Sequence, residues 1–551
     1  MRLLLLILAP LLLRAEECCA LGGTVVNSVT KEPVARALVF ARQVGGGAGV
    51  TTTGSGGAQE ARRALGISAI TDSTGHFAFS ALAPGRYNLS AERGGFVTSN
   101  YGARGTGRTP AGIELSAGHE VHDLVVPIIP QGVIAGRVLD EEGEPAAGIQ
   151  VQVSTKGYQN GRRQLNRVTT AATNDLGEYR AWGLAPGKYY VGTVSAGNLF
   201  ASLTAQKPAE EDYVPVYYPR TADPAAAAPI AVGPGAQVRE IDLRLAKARI
   251  VSVRGRVVTE GLPPGTRVSA MLVPWDPAMS SLTRAGIVAG DGAFEIRGVS
   301  PGTYTLMAST NLRGKSLGVR VPVTVGASDM EGVQATLRAG MAVEGRVRIE
   351  DADPEGFAGW QVGLQPAETG GMMFGLVGGA RLSERGTFRL EDVGAEPYTV
   401  WVSGMPEGYY VASIRSGGVD ALVKGLDTTA GAPPPVEIVV RPNAGQVGGT
   451  VSDESSHQPA AAATVVLVPE DAERRGRPLF YRSAAAAGDG RFTLKNLNPG
   501  DYRIYAFEEI EFSAWLDPEY MKPFEGRGEK ITVREGAPQT VRITLIPGEI
   551  R

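Results

Sequence analysis

The sequence predicts an all-β protein, a tandem array of five antiparallel β-sandwiches behind an export signal. Three observations carry that expectation. First, one phrase recurs: LAPGRYNL at 82–89, LAPGKYYV at 184–191, VSPGTYTL at 299–306 and LNPGDYRI at 497–504, with a departing copy, VGAEPYTV, at 393–400. Second, apolar and polar residues alternate with period two around it, as in Phe77, Phe79 and Leu82 against His76, Ala78 and Ser80. Third, 551 residues rich in Gly (73) and Pro (36) exceed one ordinary core and suit many short strands joined by turns.

Taken in order, the chain begins with Met1-Arg2, the apolar run LLLLILAPLLL and then RAEECCALGG. A positive start, a short apolar stretch and a nearby small residue describe a secretory signal over 1–20, cleaved after Ala15 or Ala20. No later stretch has the uninterrupted apolar length of a membrane span, so the mature chain is expected to have none. The two cysteines, Cys18 and Cys19, fall at this processing region, and the folded part is expected to lack disulfides.

Each copy then opens on a Gly-x-Val strand: GTV at 23–25, GRV at 136–138, GRV at 255–257, GRV at 345–347 and GTV at 449–451. A second strand follows, then an Asx-type turn ending at a marker glycine: Gly75, Gly177, Gly292, Gly386 or Gly490. The phrase comes next, read as a hairpin with Pro-Gly in a type II turn. Each copy closes on a strand such as VHDLVVPI, VREIDLRL, MEGVQATL, PVEIVVRP or QTVRITLI. The expected sandwiches are 21–131, 132–247, 248–340, 341–442 and 443–551. Almost no linker separates them, which favours an elongated, semi-rigid array.

The pattern G-x-V followed by G-x-F-x-F-x-x-L-x-P-G-x-Y-x-L resembles the carboxypeptidase regulatory-like domain, a transthyretin-like (prealbumin-type) sandwich close to the Cna B-like repeats. A fibronectin type III sandwich carries a similar phrase with one more residue before its Tyr; the single-residue spacer here favours the transthyretin-like form. The resemblance implies an Ig-like or prealbumin-like fold and an accessory, non-catalytic role. Cna-type repeats often hold a Lys–Asn cross-link, but no Gly-x-Val strand here carries Lys beside its valine, so none is expected.

A net charge of −3 leaves no electrostatic footprint for nucleic acid. A zinc site needs about three protein ligands. The four histidines are His76, His119, His122 and His457, and HEVH at 119–122 falls one residue short of a zinc helix motif. Asp140-Glu141-Glu142 reads as a solvated turn that could attract calcium. No catalytic constellation emerges: the expectation is no enzyme, no cofactor and no metal. At equal offsets from the marker glycine, the second copy alone places aromatics on outward positions, Trp182 and Tyr190. They are the candidate ligand-binding pair, on one face of one hairpin, with Trp401 a weaker candidate. The expected function is an extracytoplasmic interaction or spacer scaffold at the cell envelope, with protein or polysaccharide partners. Carbohydrate binding, or service as an accessory subunit of a separate enzyme, are the alternatives.

Overall fold

The computed structural model describes residues 19–43, 67–102, 112–118, 120–159, 161–194, 211–258, 262–263, 265–312, 315–351, 356–367 and 377–548. The proposed signal run, Cys18 and His119 lie outside them. The described chain is built of strands and the turns and loops between them, and its α-helices are single turns such as Ala421–Lys424. It divides into two compact units, 1–131 and 132–551. The first unit holds one buried apolar cluster, drawn from 19–128. The second holds four principal clusters, from 134–245, 251–335, 343–440 and 447–545.

One plan recurs around each cluster. The opening strand lies between two partners. The first strand of the phrase pairs with it antiparallel, and the closing strand pairs with it parallel. In the first unit these are Cys19–Asn27 between His76–Leu82 and Glu120–Pro130. In the last stretch they are Gly445–Ser452 between Arg491–Leu497 and Pro538–Ile546. The sheets are therefore mixed, where the sequence suggested antiparallel pairing throughout. Period-two alternation reports which face is buried and is blind to strand direction.

The phrase itself is not a hairpin. Its second strand leaves the opening strand's sheet and pairs with the copy's second strand instead: Gly85–Glu92 with Leu38–Gln43, and Gly187–Thr193 with Gln150–Gln159. Pro-Gly is the corner where the chain crosses between layers. The glycine φ values of +148°, +157° and +151° at Gly85, Gly302 and Gly500 are far from the about +80° of a type II turn. In four copies the Tyr hydroxyl fastens this corner by donating to the carbonyl four residues back: Tyr87 to Ala83 (3.0 Å), Tyr189 to Ala185 (2.7 Å), Tyr304 to Ser300 (2.8 Å) and Tyr502 to Asn498 (2.9 Å).

Burial pushes all four phenols above their ordinary value, Tyr304 up to about 12. A raised folded-state value means the neutral phenol is the stabilised form. That contribution is complete below the unfolded value of about 10 and is lost as pH rises through the folded one. Alkaline denaturation followed by circular dichroism should therefore begin near pH ~10, and a flat baseline through pH ~12 would contradict it.

Two glycines per copy are required by close approach. A Cβ on the Gly-x-Val glycine would meet a closing-strand carbonyl oxygen: 2.1 Å from Leu124 at Gly23, 2.1 Å from Ile241 at Gly136, and 2.0 Å from Val333 at Gly255. The gaps are 2.2 Å to Val436 at Gly345 and 2.0 Å to Val541 at Gly449. The phrase's first aromatic lies across from each: Phe77, Tyr179, Phe294, Phe388 and Phe492, all core residues as expected. The marker glycine sits in the left-handed region, from φ +70° at Gly177 to +87° at Gly292. Its carbonyl accepts from the Gly-x-Val valine, for example Val138 N–H at 2.8 Å. The Asx turns leading in are also present: Asp72 Oδ1 accepts from Thr74 and His76 N–H, and Asn174 Oδ1 from Leu176 and Glu178 N–H.

The processing-region reading needs one correction. Cys19 belongs to the folded part: it opens the first strand, is fully buried, and donates its Sγ–H to Ser116 O at 3.1 Å.

Candidate interaction surface

Trp182 and Tyr190 are not on one face. Trp182 lies on Glu178–Leu184, in the layer of the opening strand, and Tyr190 on Gly187–Thr193, in the opposite layer. Their outward sides point away from opposite surfaces of the sandwich, because the chain crosses layers at Pro186-Gly187. Trp182 is 64% exposed, and Tyr190 is only 9% exposed. Leu165, Tyr217 and Ala227 bury the Tyr190 ring, and Lys156 Nζ stands 5.1 Å from its centroid.

The presentation of Trp182 has a backbone cause. Pairing shifts between Gly132 and Ile134, so Trp182 and Gly183 together face one residue, with Gly183 at φ +82°. Such a bulge re-aims the side chain it carries. The same shift occurs in the other copies, with Gly298, Asp392 and Asn496 in the left-handed position. Gly, Asp or Asn at that offset was the sequence signal for the bulge in four copies; the first copy shifts in the same place with Ala81 there.

In the fifth copy the bulge is a docking point. Lys495 Nζ pairs with Glu407 at 2.6 Å, Asn496 Oδ1 accepts from Gly408 N–H at 2.8 Å, and buried Asn498 Nδ2 donates to Val411 O at 2.6 Å. Arg477 adds bonds to Val423 O and, at 3.1 Å, to Thr399 Oγ1, while Leu422 packs against the fourth and fifth clusters alike. Replacing Asn498 with Ala should cost about 1–3 kcal/mol, since it leaves Val411 O buried without its donor. Hydrogen exchange at 410–416 checks it; unchanged protection would contradict it.

The departing phrase of the fourth copy is explained here too. Glu396, where the other copies have glycine, uses Oε1 to accept from the Tyr398 hydroxyl at 3.0 Å and Oε2 to pair with Arg320 of the third stretch at 2.8 Å. One carboxylate replaces the corner bond and makes a joint. Between the second and third stretches, Asp212 lies 3.8 Å from Arg284, whose side chain is only 4% exposed. Sequence reasoning missed all these joints, although the lost Pro-Gly was itself a visible signal for one of them.

The other candidates are occupied differently. Asp140 Oδ1 accepts three backbone N–H groups, from Glu142, Gly143 and Glu144. Glu141 is held by Lys247 and the Tyr213 hydroxyl, and Lys247 lowers its carboxyl to about 2. A depressed value means the contribution is present above the ordinary carboxylate range and is lost as pH falls through the folded value. The strand pair Glu211–Val214 and Ala246–Arg249 should accordingly loosen in hydrogen exchange between pH ~4 and ~2. His122 pairs with Glu120 at 2.9 Å. Trp401 is half-buried, lying across Gly363 and Gly379.

Residues 446–546 match the family model of the carboxypeptidase regulatory-like domain. The fifth stretch is similar to the carboxypeptidase regulatory-like domain. It contains the G-x-V strand, the marker Gly490, the Tyr502 corner and the parallel closing strand described above. No curated protein matches the chain. Among solved structures, the Bacillus anthracis TIE protein is 12% identical with a TM-score of 0.17, covering 59% of this chain and 51% of its own, so the alignment spans about half of that protein. The minor pilin of Streptococcus agalactiae is 13% identical (TM-score 0.23; 44% and 98% covered), and the major pilin subunit of Bacillus cereus 12% (TM-score 0.15; 76% and 99%). No helix among the described residues is long and apolar enough to cross a membrane.

Proposed function

We propose that the protein is an exported, non-catalytic scaffold of five regulatory-like β-sandwiches, bounded near 131, 247, 340 and 442, that serves protein–protein interaction at the cell envelope. The observation that carries this reading is the chain of joints in 132–551. Successive stretches are fastened by specific side-chain bonds, from Asp212 to Arg284, Arg320 to Glu396, and Asn498 to Val411. The chain's recurring polar groups hold the sandwiches and their joints. The signal would be cut after Ala15, because a cut after Ala20 removes the core side chain of Cys19 from the first strand.

A ligand face is the second reading, favoured by the exposed indole of Trp182, which can stack on a sugar ring or anchor a protein partner. Tyr190 would take no part, being covered. Glycan arrays and in-situ cross-linking on the full chain separate the two. Cross-linked protein partners with a flat glycan response support the scaffold. Glycan binding abolished in Trp182→Ala would replace it with the sugar-binding reading.

A further inference from the structure

The second stretch carries an element that its sheet does not account for. Gln150–Gln159 and Arg162–Ala172 form a hairpin paired along its whole length, from Gln150 with Ala172 to Gln159 with Arg162. The third strand of that sheet, Gly187–Thr193, accompanies it only from Val151 to Ser154. From Thr155 to Asn166 the hairpin has no third strand beside it and continues as a two-stranded ribbon, five residues per strand and about 17 Å long. Such a ribbon is marginal in water by itself.

Both ends of this ribbon are held. At its base Leu165 joins Tyr190, Tyr217 and Ala227 in a small buried cluster. At its tip it meets the fifth stretch. Tyr158 packs edge-on against Tyr520 with ring centroids 5.4 Å apart, and its phenol, pushed up by burial first, also feels the negative charge of Asp517. Gly161, at φ +74°, lies so close that a Cβ there would stand 3.0 Å from Leu516 O. Tyr520, Leu516 and Asp517 belong to the excursion 508–528 between Gly500–Phe507 and Glu529–Val533. This excursion folds over the outer side of its own sheet and buries Val466, Val468, Tyr505 and Phe507 beneath Trp515 and Met521.

We propose that the ribbon is a clasp: its tip closes on the 508–528 excursion and ties the second stretch to the fifth, which are not neighbours in sequence. The short joints favoured an elongated, semi-rigid array; the clasp instead ties 132–551 back on itself. Because the tip touches the excursion through few residues, it can release while both sandwiches stay folded.

The test uses the full chain with spin labels at Arg162→Cys and Glu519→Cys, in a Cys18→Ser, Cys19→Ala background. The expected result is one short, narrow distance distribution, retained in Tyr158→Phe, which keeps the ring contact. In Tyr158→Asp, whose new carboxylate faces Asp517, the distribution should lengthen and broaden. In the unlabelled chain, Tyr158→Asp should raise tryptic cleavage at Arg162 and Arg163 about tenfold, reflecting the larger open population. Exchange protection of the strands Gly445–Ser452, Arg491–Leu497 and Pro538–Ile546 should stay unchanged, which separates clasp opening from unfolding. A broad, long distribution in the parent overturns the proposal, as does a Tyr158→Asp variant that matches the parent in both distance and cleavage.

Discussion

Gly449→Val is expected to unfold residues 446–546, which match the carboxypeptidase regulatory-like family model, while leaving the first unit's protection intact. Strand propensity alone points the other way, because a β-branched residue suits a pleated strand better than glycine does. The close approach decides. The first carbon of a side chain would sit 2.0 Å from Val541 O and 2.9 Å from the Phe492 ring, with a backbone carbonyl on one side and a packed aromatic on the other. Neither neighbour can move without breaking the parallel pairing of Gly449 with Val541 or emptying the core position of Phe492. Overpacking of this kind costs about 1–3 kcal/mol even where neighbours can give, and here the loss should reach or exceed the top of that range. Hydrogen exchange resolved by segment is the measurement. Stabilised or unchanged 446–546 would mean that the glycine is there for some reason other than contact.

The second large effect is expected at Tyr502. Its side chain is 1% exposed in the middle of the fifth cluster, and its hydroxyl donates to Asn498 O. Tyr502→Ala removes the ring from a packed core and should cost about 3–5 kcal/mol. Tyr502→Phe keeps the ring and deletes one hydrogen bond, for about 1 kcal/mol. The contrast between the two variants separates packing from the corner bond. Asn498 adds a longer-range consequence, since the same residue whose carbonyl Tyr502 fastens uses its amide to hold Val411. Loosening the corner should therefore also raise exchange at Tyr410–Ser416, in the preceding stretch. If Phe were as damaging as Ala, the hydroxyl rather than the ring would carry the stability; no change at 410–416 would uncouple corner from joint.

The family resemblance, the all-β class and the inward positions of Phe77, Tyr179, Phe294, Phe388 and Phe492 were legible from residue order alone. Each depends on local chemistry: alternation, turn residues, and glycine at fixed offsets. The burial of Tyr190 was not legible, because its cover comes from Leu165, Tyr217 and Ala227, remote in sequence. A weaker signal did exist: runs such as Tyr189-Tyr190-Val191 and VVLV at 465–468 are apolar without alternation, which marks a strand covered on both faces.

By itself the sequence determined that strands form, where they turn, and which side of each is apolar. Those properties follow from backbone sterics and side-chain period, which act over a few residues. Only the tertiary structure decided that the repeated phrase crosses between layers, that the Gly-x-Val strand of each copy runs parallel to the closing one, and that Trp182 is exposed while Tyr190 is covered. Sheet partnership is a choice among distant segments with the same alternation, and it is resolved by contacts such as the glycine-to-carbonyl approach that no local pattern encodes.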